Sequence, residues 1–121
     1  MTLREIEQVM VKHLGEYTND ADDPSVIQQY MPEGLAYINE AYTIAMDRYA
    51  PGEYVELLKN DNDEPLFEPE AFHAILADYA AARIMLSEPG KTEKATHLMA
   101  QWTTGLFRVD SPSHRLIHRW C

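Results

Sequence analysis

FEPEAFHAILADYAAARIML, residues Phe67 to Leu86, decides the fold. It opens with Pro69 among acidic residues, a combination suited to the first turn of a helix. Phe72, Ile75, Leu76, Tyr79 and Leu86 then recur on one helical stripe, and alanine fills the gaps at 77, 80, 81 and 82. Pro89-Gly90 breaks the segment, so the spacing predicts a helix over 69–87. A second amphipathic stretch, Thr92 to Phe107 with Trp102 near its end, follows at once. Together they predict a helical hairpin with a small-residue contact side. In a monomer the alanines are simply good helix formers, and in an oligomer they let a neighbouring helix come close. The sequence leaves both readings open.

Upstream, Thr2 and Glu5 have capping-box spacing, and Leu3, Ile6, Met10, His13 or Leu14, and Tyr17 recur at helical intervals. A first helix should therefore run to Gly15 or Glu16, ahead of an acidic loop at 18–23. Asp23-Pro24 starts a second helix over 25–49, with Pro32 and Gly34 inside it. The proline predicts a kink, or a short helix followed by a longer one restarting at Pro32. Leu35, Ile38, Ala41 or Tyr42, Ala45 and Tyr49 form its buried stripe, and Pro51-Gly52 stops it. Two short apolar runs around Asn60-Asp61-Asn62-Asp63 predict a loop or a small β-hairpin near 54–67. The tail contains Ser111-Pro112-Ser113 and reads as an extended arm. The expectation is one all-α domain over 1–107, a four- to five-helix bundle with a kinked second helix, and a C-terminal arm over 108–121.

Composition fits that reading. The chain has 121 residues, enough for one domain with a modest core, and 45% are hydrophobic, which argues for folding over disorder. Its apolar runs are too short to span a bilayer, so the reading places nothing in a membrane and expects no leader. One cysteine, Cys121, gives no disulfide framework and points to a reducing compartment. The net charge of -10 is uneven: residues 1–70 carry -12 and residues 71–121 carry +2. Arg108, Arg115 and Arg119 face only Asp110 in the last fourteen residues. An acidic body disfavours general nucleic-acid binding, because phosphate affinity needs clustered Lys and Arg. It permits head-to-tail attraction between copies.

Chemistry-bearing patterns are thin. His114, His118 and Cys121 could share a helix face and suit zinc, but three ligands at a chain end are better read as a basic tail. His73 and Asp78 are five apart and do not align as an acid–base pair, so His73 is expected to bond locally or face a loop. Glu53-Tyr54-Val55-Glu56 resembles half of the carboxylate motif of all-helical, magnesium-dependent nucleotide pyrophosphohydrolases, yet no Glu-x-x-Asp follows to complete it. Asp61, Asp63 and Glu64 lack the glycine and final glutamate of a calcium loop and read as a solvated turn. The sequence thus predicts no catalytic, metal or cofactor site. Interaction residues are sought outside the bundle, at Glu53, Glu56, Asp61, Asp63, Glu64, Arg108, Arg115, Arg119 and Trp120.

The early helix, the Tyr37-Ile38-Asn39-Glu40-Ala41 segment, the FEPEAFHAILADYAAARIMLSEPG block and Gln101-Trp102 in the next helix carry a resemblance. Over residues 2–107 the chain resembles the small helical head–tail connector proteins (head completion or adaptor proteins) of tailed bacteriophages and prophages. The resemblance rests on pattern and helix order. It implies a structural virion protein of the neck, made in the host cytoplasm. Copies would form a ring around the DNA channel between a portal protein and a tail or stopper protein. An acidic channel wall would let DNA pass without sticking. The alternative from composition is an acidic helical binding module, a DNA mimic or inhibitor of a host DNA-binding enzyme. Against it, many of the carboxylates fall in loops rather than in an ordered array.

Overall fold

The computed structural model describes residues 1–15, 32–87, 90 and 92–109. Four α-helices make up the described chain: α1 over Leu3–Leu14, α2 over Glu33–Tyr49, α3 over Ile75–Leu86 and α4 over Thr92–Leu106. No strand occurs among the described residues. The expected first half of helix two falls on 16–31 and most of the expected arm on 110–121, both outside them, while Pro32 directly precedes the first turn of α2.

α1 begins where the sequence says it should. The Thr2 hydroxyl accepts from the Glu5 amide at 3.2 Å, and the Glu5 carboxylate accepts from the Thr2 amide at 2.9 Å. Two orphan amides of the first turn are satisfied reciprocally. Leu3, Ile6, Met10 and Val11 then face the core. Gly15 caps the far end through Val11 O. α2 buries Ile38, Ala41, Tyr42, Ala45 and Met46, close to the expected stripe, with Leu35 and Tyr49 at its margins. It ends before Pro51-Gly52, where Gly52 takes φ +82°, a backbone region that disfavours side chains.

The segment expected to form one helix from Pro69 behaves differently. Glu70–Phe72 form a 3-10 turn, and the α-helix starts only at Ile75. The Phe72 amide bonds Pro69 O at 3.0 Å and the His73 amide bonds Glu70 O at 2.9 Å, both three-residue closures. This tight winding turns the His73 ring back on Phe67. The rings pack edge to face with centroids 4.8 Å apart, and His73 Nε2 lies 2.7 Å from Phe67 O. His73 therefore bonds locally, as its spacing predicted.

α3 is not an amphipathic helix with one core stripe. Every residue from Ile75 to Ala82 is buried, as are Ile84 and Met85. The helix runs through the middle, packed by α1, α2 and α4. Ala77, Ala80, Ala81 and Ala82 are 0% exposed, so the small-residue side is consumed inside a single chain. Only small side chains let several helices approach one axis without voids or clashes. Leu86, expected on the buried stripe, is 52% exposed because it sits on the last turn, beyond those neighbours.

α4 ends as predicted, and its last turn is tied to α2. Arg48 donates from Nε to Val109 O at 2.7 Å and from Nη2 to Phe107 O at 3.0 Å, with its guanidinium 5.2 Å from the Phe107 ring centroid. An arginine here satisfies two carbonyls of the segment that leaves the helix. Val109 is fully buried, so the chain stays on the domain to that residue.

α3 and α4 approach each other tightly at Gly105. A Cβ there would lie 2.4 Å from Ile75 Cγ2, a branch that cannot swing away. Gly105→Ala gains up to about 1 kcal/mol of helix propensity, but overpacking of roughly 1–3 kcal/mol opposes it. We expect the variant to be destabilised by about 1 kcal/mol in urea unfolding. In the Ile75→Ala background the same change should turn neutral or stabilising.

Candidate interaction surface

Residues 53–67 connect α2 to the 3-10 turn without regular structure, and the reason is visible in α2. Asn39 pairs with the backbone of Leu58 from both ends of its amide: Nδ2 donates to Leu58 O at 2.9 Å, and Oδ1 accepts from Leu58 N at 2.8 Å. A side chain thus takes the backbone groups a partner strand would have used. The Tyr42 hydroxyl accepts from Leu66 N at 3.1 Å, and Phe67 is buried 6.2 Å from the Tyr42 ring. The loop also caps α1, because Leu3 N and Arg4 N donate to Asp63 O and Asp61 O at 2.7 and 3.1 Å.

That inward anchoring holds apolar groups outward. Tyr54 is 90% exposed, Leu66 65% and Leu57 45%. Leu57 also borders an open groove of about 600 Å³ between α2 and the loop, floored by Leu35, Ala36 and Leu58. Exposed apolar groups on a backbone fixed at several points are the usual makings of a docking surface.

The residues singled out from sequence divide accordingly. Glu53, Glu56, Asp61 and Glu64 are exposed on this loop. Asp63 is half-buried on the same loop, and its carboxylate closes the turn, accepting from Lys59 N and Asn60 N at 2.8 Å each. Those two amides hold its carboxyl below the usual range. Arg108 is exposed but lies elsewhere, on a groove between α3 and α4. Arg115, Arg119 and Trp120 lie outside the described residues, as do His114, His118 and Cys121. Among the described residues, no three His, Cys, Asp or Glu groups converge as metal ligands, and no helix is long and apolar enough to cross a membrane.

Sequence reasoning missed the anchors. Asn39 falls on the face of α2 shared by Leu35 and Tyr42, and an amide on an apolar stripe needs a partner. That was a readable signal. The cluster around Glu40 gave none. The Tyr79 hydroxyl donates to Glu40, Arg83 Nη1 reaches Glu40 and the Tyr79 oxygen at 2.7 Å each, and Arg83 lies 4.8 Å from the Tyr37 ring centroid. The Tyr79 hydroxyl, with Arg83, holds the Glu40 carboxyl below the usual range. It is an intramolecular clamp between α2 and α3.

Two buried acids stand apart from these networks. Glu7 on α1 is 4% exposed. Burial, then nearby Asp61, raises its carboxyl above the usual range, with Arg4 offsetting in part. Asp78 on α3 is 9% exposed, and its Oδ1 lies 2.9 Å from His13 Nε2, though the pair is not aligned as a hydrogen bond. Comparison with family models, with curated proteins and with solved structures gave no match.

Asn39→Ala should cost about 2–3 kcal/mol, since two buried backbone groups lose their partner. Amide exchange near Leu58 should accelerate more than exchange in α3. For Glu7 the sign follows from its raised carboxyl. The folded state binds more protons, so stability is greatest at low pH and falls as pH rises from the ordinary carboxylate value through the raised one. Glu7→Gln should therefore raise the urea midpoint at neutral pH and bring no gain below about pH 4.

Proposed function

We propose that this chain is a structural assembly protein, and that it acts as a head–tail adaptor in the neck of a tailed phage or prophage. The observation that carries the reading is the loop over 53–67. It is pinned by Asn39, Tyr42 and the start of α1, yet holds Tyr54, Leu57 and Leu66 toward solvent. A surface of this kind binds without refolding, which keeps the entropic penalty of association low. Glu53, Glu56, Asp61 and Glu64 surround it with negative charge, which favours a basic partner patch and repels nucleic-acid phosphate. The sequence resemblance supplies the specific setting: a ring of copies between portal and tail or stopper, surrounding the DNA channel.

In this proposal the loop contacts the next component of the neck, and the basic segment beginning at Arg108 contacts a neighbouring copy or the portal. The four-helix core acts as a rigid spacer. A solitary protein in solution is compatible with the proposal, because a template can drive ring closure through heterologous contacts.

Co-sedimentation with portal-bearing capsids from the same genome tests the assignment. Wild-type protein should bind in a fixed ratio. Tyr54→Ala combined with Leu66→Ser should weaken binding about tenfold or more, with the helical circular dichroism unchanged. Absence of binding to portal-bearing capsids and to the tail-side component alike would sink the neck assignment.

A further inference from the structure

Residues 53–59 have the course of a strand and lack a strand's partner. The chain passes through them without a turn or bend. Both ends are tied: Glu53 N donates to Ala50 O at 3.2 Å, and Lys59 N donates to Asp63 Oδ2 at 2.8 Å. Leu58 is held by its two bonds to the Asn39 amide. Between those ties, the backbone N–H and C=O groups of Tyr54, Val55, Glu56 and Leu57 make no hydrogen bond among the described residues. Tyr54 and Val55 are moreover residue types that favour strands.

Alternation decides which of those groups a partner meets. In extended chain, the N–H and C=O of one residue point to the same edge, and those of the next residue to the opposite edge. Leu58 turns both of its groups to Asn39 on α2. Glu56 and Tyr54 share that edge, while Leu57 and Val55 take the other. At Lys59 the outer edge is closed by Asp63. The open edge therefore begins at Leu57 and offers two residues, each with a donor and an acceptor.

We infer that this edge accepts an extended segment of a basic partner protein as an added β-strand, hydrogen-bonded to Val55 and Leu57. Charge selects the occupant. Residues 53–67 hold five acids, Glu53, Glu56, Asp61, Asp63 and Glu64, against one base, Lys59. Glu53 and Glu56 are exposed on the extended segment itself. A lysine or arginine opposite Glu56 makes a favourable cross-strand pair, and apolar side chains opposite Val55 and Leu57 cover the half-exposed Leu57. The occupant thus alternates basic and apolar residues. The same charges disfavour a second copy of this chain. An antiparallel self-pair that matches Val55 with Leu57 sets Glu56 directly against its twin, and its outer bonds need Lys59 N, which Asp63 already holds. The inference rests on the reading of this loop as a docking surface and is independent of the phage neck.

The intact chain can be tested with a blocked peptide of about eight residues alternating lysine and valine. Its binding should slow amide exchange at Val55 and Leu57 about tenfold or more and leave Tyr54 and Glu56 unchanged. The same peptide with alternate backbone nitrogens methylated keeps its charge and loses its donors, and it should not bind. Glu53→Gln combined with Glu56→Gln should weaken binding about tenfold with the helical circular dichroism unchanged. Failure of the alternating peptide to bind would overturn the inference. So would equal binding of the methylated peptide, which reports charge attraction alone, or protection of Val55 and Leu57 by self-association without any peptide. Loss of capsid binding with the peptide still protecting Val55 and Leu57 would sink the neck and leave the strand-accepting edge. Capsid binding without peptide protection would do the reverse.

Discussion

Three helices share α3, and that sharing constrains everything else in the molecule. A helix packed by α1, α2 and α4 has no solvent face along most of its length, so it cannot carry long side chains all round. Ala77, Ala80, Ala81 and Ala82 are the solution, each fully buried. Gly105 extends it to α4, where even a methyl group would meet Ile75 Cγ2. Larger residues are confined to places where space opens, as where Tyr79 meets Trp102 with ring centroids 5.0 Å apart. An aromatic pair of this geometry contributes about 0.5–1.5 kcal/mol beyond its buried area. Because the alanines are spent inside the chain, they are not a surface for a second copy. Any partner must be met elsewhere.

The loop over 53–67 is where the fold leaves material for that purpose. Ordering a backbone costs about 1–2 kcal/mol per residue, and a stretch without strand or helix must recover that from side-chain anchors. Here the anchors come from outside the loop: the amide of Asn39, the hydroxyl of Tyr42 and the first turn of α1. His73 seals the far end. Its Nε2 sits 2.7 Å from Phe67 O, which assigns the proton to that nitrogen and leaves Nδ1 facing the Met1 amine at 3.3 Å. Burial lowers the affinity of this ring for a second proton. Anchors that all point inward leave Tyr54, Leu57 and Leu66 largely uncovered by the described residues.

Local chemistry made the helix ends legible in sequence. The Thr2–Glu5 box, Gly15 and Pro51-Gly52 each act within a few residues, so their meaning survives without knowledge of the fold. The strandless character of 54–67 was half legible, because the turn cluster at 60–63 showed while the Asn39 clamp, nineteen residues away from Leu58, did not. The three-sided burial of α3 was hidden for a different reason. Hydrophobic periodicity reports large apolar side chains, and alanine contributes almost nothing to it whether it faces a core or water. Asp63 illustrates the remaining limit. A carboxylate in a polar turn looks solvated from sequence, yet its oxygens close the turn on Lys59 and Asn60 while its carbonyl receives the start of α1.

The same distinction sorts the acidic charge, and with it the surface a partner would feel. Glu5 and Asp63 are tied to backbone amides, and Glu40 is engaged by Tyr79 and Arg83. Glu7 and Asp78 are held out of water. Glu53, Glu56, Asp61 and Glu64 are exposed on the loop that also displays the apolar groups, while Glu33, Asp47, Glu68, Glu70 and Glu93 are exposed elsewhere. An apolar centre with a charged rim separates two roles in association. The rim governs encounter rate and salt sensitivity, while the desolvated centre governs how long a complex lasts. Substitutions of Glu53 or Glu56 would act on the first and substitutions of Tyr54 or Leu66 on the second. A generic acidic surface would not divide in this way.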